Sequence, residues 1–222
     1  MFLNKIVFLL GLTQFGHSIW IISPSPQPPQ PPQPDEVAKM ARYIMRNADW
    51  VSIATKSTQK AIEGYPFVSL KSVSDGPPSN STGVPYLYMT DMDVSGKDIE
   101  ADNRCTILAS LAESEYCKQK NFDPQDPRCA KLIITGKIIK VDNSSSEYQF
   151  GEDALFSKHP SMKWWPKDHD FYVAKVNIEQ IAVLDFFGGI KYVSVQDYFN
   201  ASNSNNRLDI LFGRVEFIEV TV

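Results

Sequence analysis

The sequence predicts a mainly β protein with flanking helices, built as a closed or split β-barrel. Three observations carry this. Six or seven short runs rich in Val, Ile, Thr, Tyr and Phe recur along the chain, separated by turn residues. Their order is not an alternation of strand and helix, which argues against a doubly wound sheet. The long run Lys131–Val141 carries Gly136 at its middle, where a barrel strand bulges or bends sharply.

The 222 residues suffice for one domain with a proper core. Hydrophobic residues make up 43% and charged residues 22%, as in an ordinary globular protein. The net charge of −4, with Lys and Arg scattered, leaves no basic footprint for nucleic acid.

Residues 1–18 read as a signal peptide. Lys5 precedes the apolar run Ile6–Leu12, and Gly16 and Ser18 supply the small residues of a cleavage site. That run is too short for a transmembrane helix, which needs about 20 residues. Residues 19–34 form a Pro-rich linker; Ser23 to Pro34 reads SPSPQPPQPPQP, an extended polyproline II spacer.

The folded domain spans residues 35–200. Asp35 is an acceptable N-cap, and Val37, Met40, Ala41, Ile44, Met45 and Ala48 recur at helical spacing, so a helix with one core-facing stripe ends near Asp49. Trp50–Thr55 and Phe67–Val73 are the first two strands, the second closed by the turn Asp75-Gly76-Pro77-Pro78. Pro85–Thr90 is the third, and Asp98–Ala101 a short helix. In the fourth, Arg104–Ala112, Ile107, Ala109 and Leu111 share one face while Thr106, Leu108 and Ser110 share the other. Ser146 caps a helix reaching Lys158. Trp164, Trp165 and Pro166 read as a plug over one barrel end. Two closing strands follow, Phe171–Asn177 and Ile181–Phe187, and Gly188-Gly189 ends the second. Val195–Phe199 begins a terminal segment, and residues 201–222 mix Leu, Ile, Phe and Val with Asp209, Arg214, Glu216 and Glu219 without a clear structural pattern.

An exported chain meets an oxidising compartment. Cys117 and Cys129 flank a short loop that a disulfide would close; two unpaired thiols at strand ends are the alternative. Cys105 sits in an apolar run and reads as a small buried hydrophobe. Asn80, Asn143 and Asn200 each open an Asn-X-Ser/Thr sequon in a polar stretch and are expected to carry glycan. Enzyme signatures are absent: no G-x-S-x-G, no C-x-x-C, no Walker loop, no dinucleotide fingerprint. His159 and His169 with Asp168 and Asp170 have no recognised metal-ligand spacing and read as surface loop residues.

Ala41-Arg42-Tyr43, Asp49-Trp50, Gly64-Tyr65-Pro66-Phe67, Ser74-Asp75-Gly76-Pro77-Pro78, Gly83-Val84-Pro85-Tyr86, Cys117-Lys118, Phe122-Asp123-Pro124-Gln125, His159-Pro160, Met162-Lys163 and Val183-Leu184-Asp185-Phe186-Phe187-Gly188-Gly189 resemble the CREG family of secreted glycoproteins. The likeness runs from about Ala38 to Asn200. It implies a split β-barrel of the FMN-binding, pyridoxamine-phosphate-oxidase-like type, a homodimer, and secretion or lysosomal delivery through the mannose 6-phosphate receptor or another cell-surface glycoprotein. It also implies growth restraint and differentiation without a bound flavin. Asn143 and Asn200 fall where the family carries sequons; Asn80 is an addition, and Asn177-Ile178-Glu179 is a departure where a sequon is lost.

If FMN were bound, its phosphate would need cations and hydroxyls. Ser69 and Lys71 share a face of the second strand, and Thr90 and Arg104 sit at neighbouring strand edges, so these four are the candidate clamp. Two functions follow: a dimeric glycoprotein that binds other proteins, with no catalytic residue, no cofactor and no metal, or an FMN-dependent oxidoreductase.

Overall fold

A computed structural model describes residues 30–201. The signal-peptide segment, most of the linker and the tail after Ala201 lie outside the described residues.

Seven strands form one antiparallel sheet: β1 (Trp50–Lys56), β2 (Pro66–Ser74), β3 (Tyr86–Met89), β4 (Arg104–Ser110), β5 (Lys131–Lys140), β6 (Tyr172–Leu184) and β7 (Lys191–Val193). Their order is β3-β2-β1-β4-β5-β6-β7, and a further β3–β6 pairing closes six of them into a barrel. Strand β6 makes this possible by its length. One edge pairs with β5 along most of its course; the other pairs first with β3, through Tyr172–Lys175, and later with β7, through Ile181–Val183.

The inside is set by alternation. Val51 and Ile53 on β1, and Cys105, Ile107 and Ala109 on β4, are buried while their neighbours face out. α1 (Val37–Asn47) lays Met40, Ala41, Ile44 and Met45 against this core. α4 (Ser146–Lys158) packs Leu155 with Tyr86, Val141, Met162 and Val173 in a second cluster. α2 (Val94–Ala101), α3 (Glu115–Gln119) and α5 (Val195–Asn200) complete the flanking helices.

Several elements differ from the sequence expectation. The two closing strands are one. Thr135 pairs with Gln180 and Gly136 with Ile178, so Glu179 is the extra residue of a bulge and the strand runs on past it. Gly136 is required there: a Cβ would lie 2.1 Å from the Asn177 carbonyl oxygen. The tryptophans are not a plug. Trp164 is 86% exposed and Trp165 39%, because the turn Pro160–Trp164 runs outside the barrel and buries Met162 instead. The N-cap of α1 is Glu36, whose side chain makes no cap bond. Ser145, not Ser146, caps α4, its hydroxyl accepting from the Tyr148 N–H at 3.1 Å. β4 stops at Ser110, where Ser110 and Glu113 form a capping box over the turn Leu111–Glu113.

Cys117 and Cys129 are joined in a disulfide, and Cys105 is a buried free thiol. Two arginines of α1 fasten the Ser74–Val84 loop. Arg46 donates to the carbonyls of Gly76, Pro77 and Pro78 and pairs with buried Asp75; Arg42 donates to the Ser81 carbonyl and stacks over Tyr198.

Candidate functional site

Of the four residues of the candidate clamp, Arg104 is not brought together with Ser69 and Lys71, while Thr90 accepts at its carbonyl from the N–H of Asp93, the partner of Lys71. Ser69 and Lys71 stand opposite Ile53 and Val51, both fully buried, so their side chains point to the inner face of the sheet. Arg104 belongs to the outer set of β4, with Thr106, and lines a shallow cleft of about 280 Å³ with Lys56 and Thr135.

Each cation already has a carboxylate. Lys71 pairs with Asp93, which also accepts from the Ser95 hydroxyl at 2.9 Å. Burial opposes the charge on Asp93, yet the bonds from Lys71 and Ser95 outweigh it and hold its pKa below the usual carboxylate range. Arg104 grips Asp102 with Nε at 2.8 Å and Nη2 at 2.5 Å, and these bonds hold the Asp102 pKa well below the ordinary range. The Thr90 hydroxyl donates to the His169 carbonyl at 2.5 Å and accepts from the Met92 N–H. Ser69 Oγ is the exception, a buried hydroxyl without a partner among the described residues. Lys71 and Arg104, on opposite faces of the sheet, cannot grip one phosphate together. Asp93 was missed by the sequence reading, although an Asp just before Val94 is a helix N-cap signal.

His159, weighed as a metal ligand, turns its Nε2 to the Val73 carbonyl at 3.2 Å. His169 stacks against Phe171 on the surface, 6.0 Å between ring centres.

The outer sheet face has another character. Val68 and Leu70 on β2 and Leu108 on β4 are 60%, 61% and 39% exposed. The register joins them: Ser52 of β1 lies between Leu70 and Leu108, and Ala54 lies beside Val68. These exposed apolar side chains share the outer face, grouped around Ser52 and Ala54. Phe186, Phe187 and Ile190 form a second exposed group after β6, with Arg128 over the rings of Phe122 and Phe187. Asn80, Asn143 and Asn200 all sit at exposed positions.

Comparison with known proteins agrees with this fold. A family profile described as CREG, beta-barrel matches residues 32–200. The chain is 46% identical to the chicken (Gallus gallus) protein CREG1 over 167 residues, covering 74% of this chain and 86% of that one. It is 39% identical to human (Homo sapiens) CREG1, over 75% of each chain. Among solved structures, a heme binding protein from Mycobacterium smegmatis aligns with a TM-score of 0.60 at 19% identity, over 74% of this chain and 60% of that one. ChuZ of Campylobacter jejuni aligns at 0.57 and 15%, over 75% and 62%. Identities this low speak for the fold alone, a β-barrel as expected.

Proposed function

This chain belongs to the CREG family, and from that premise we propose that it is a secreted or lysosomal glycoprotein that acts as a homodimer by binding other proteins. In this reading the barrel is a scaffold, the mannose 6-phosphate receptor or another cell-surface glycoprotein handles its glycans, and its effect is growth restraint and differentiation. One observation carries it. The clamp cations are committed to Asp93 and Asp102, while the apolar side chains of Val68, Leu70 and Leu108 are exposed on the outer face of the barrel. Exposure of this kind suits association between protein surfaces. A second copy seated on it would bury these three side chains and account for the dimer.

FMN-dependent oxidoreduction is the second reading, favoured by Ser69 Oγ, which is buried two residues from Lys71 without a partner among the described residues. Protein secreted from eukaryotic cells separates the two. Its mass in solution should be that of a dimer, and Leu70→Asp should yield monomer. After mixing with FMN and desalting, it should be colourless. A stoichiometric flavin spectrum would overturn the non-enzymatic reading.

A further inference from the structure

A cleft of about 560 Å³ opens between the start of α1, strand β7 and the end of α5. Its size is that of small-ligand sites, roughly 300–1,000 Å³. Val37 and Val193 give it an apolar floor, and Tyr192, 71% exposed, stands at one wall. Polar groups rim it. Lys39 pairs with Glu36, and Asp197 accepts from the Ser194 hydroxyl at 2.6 Å. Asn200 lies on the lip. It is the first residue of the sequon Asn200-Ala201-Ser202.

We propose that this cleft is the seat of the glycan on Asn200: its core N-acetylglucosamine lies along Tyr192, with hydroxyls toward Asp197 and Lys39. The inference rests on the secreted-glycoprotein reading and adds a position for one of its sugars. Three features point to a sugar. The anchoring amide is at the edge of the cleft, so the occupant arrives tethered and at high effective concentration. The wall is an exposed aromatic ring, a flat surface against which the C–H face of a pyranose packs. The rim offers both carboxylate acceptors and an ammonium donor for hydroxyls. The seated glycan would cover the place where the linker enters the domain. There Lys191, adjacent to Tyr192, donates to the Pro34 carbonyl at 2.7 Å and pairs with buried Asp185.

The test uses the full chain secreted from eukaryotic cells. Glycopeptide mass gives occupancy of Asn200, and hydrogen exchange is read on peptides covering residues 35–39 and 191–193. Ser202→Ala removes the sequon and leaves Asn200 in place; Tyr192→Ala leaves the sequon and removes the wall. With Asn200 occupied in the parent, both variants should exchange several-fold faster on these two peptides, with β1–β6 unchanged, and Tyr192→Ala should retain the glycan mass. An occupied Asn200 whose loss leaves exchange unaltered would overturn the proposal, the sugar then pointing to solvent. An unoccupied Asn200 would overturn it too and would remove that site from the glycoprotein reading, while occupied Asn80 or Asn143 would leave the wider reading intact. Acceleration only when residues 207–222 are cut off, at a protease site placed between 203 and 206, would assign the cleft to the tail instead.

Discussion

The Thr55 hydroxyl donates to the Asp98 carboxylate at 2.8 Å beneath α2, and no part of Asp98 is exposed. The other carboxylate oxygen accepts from the Thr58 N–H and hydroxyl, both at 2.7 Å. One buried side chain thus ties α2 to the end of β1. Asp98→Ala would leave three donors without an acceptor, at a cost of about 3 kcal/mol. For a domain of this size each kcal/mol lowers Tm by roughly 2–4 °C. Asp98→Asn should cost less, since its carbonyl still accepts. A thermal melt of Asp98→Ala matching the parent would contradict this account.

Gly136 and Gly64 make a paired test of the bulge. At Gly136 a Cβ would meet the backbone of Asn177, which cannot swing aside as a side chain can. Gly136→Ala is therefore expected to cost about 1–3 kcal/mol, at the upper end of overpacking. Gly64 has open space around it and a φ of +80°, so Gly64→Ala meets only the left-handed backbone penalty of about 1–2 kcal/mol. Denaturant midpoints should rank Gly136→Ala below Gly64→Ala. The reverse order would mean that β6 does not bulge at Glu179.

What the sequence revealed and what it hid follow from the range of the forces. The inward set of β4 was readable because Ile107 and Ala109 alternate with Thr106 and Leu108 within one strand. An irregularity at Gly136 was readable because only glycine tolerates the approach, but the extra residue lies across from it, at Glu179 of β6, and not in β5. The continuity of β6 was not: Glu179 and Gln180 interrupt the period of two, and only the register with β5 shows the strand continuing. The tryptophans carried no such information. An apolar residue is not thereby inside, and Trp164 is held outside by the turn around Met162. The sides on which Lys71 and Arg104 lie depend on pairing between strands distant in sequence. The partner of Arg104 was close by, two residues away at Asp102.

The cysteines should separate by chemistry. Burial pushes the Cys105 thiol up to about 12, so almost no thiolate is available at neutral pH. An alkylating reagent should label no cysteine in the native protein, one after unfolding, and three after unfolding with reduction. Breaking the Cys117–Cys129 bond frees a loop closed over 12 positions and should lower stability by about 3 kcal/mol in the chain-entropy model. Labelling of Cys105 in the native state would place it at the surface and reject its assignment to the core.

Acid should stabilise this fold through Glu113. One carboxylate oxygen accepts from the Ser110 N–H at 2.8 Å, and the other is buried without a partner among the described residues. Burial, aided by the nearby charge of Asp49 and opposed by the Ser110 bond and Lys158, raises its pKa from 4.5 to about 7. The folded state therefore binds this proton more tightly than the unfolded chain does. The contribution is fully present below pH 4.5 and is lost as pH rises through 7. With allowance for screening by solvent, its size is on the order of 2 kcal/mol. Glu113→Gln keeps an oxygen for Ser110 and cannot ionise. It should match the parent near pH 3.5 and exceed it in stability near pH 7.5, and the difference between their denaturant midpoints across that range reads the effect. Parallel pH dependences for the two proteins would show that Glu113 ionises alike in the folded and unfolded chains.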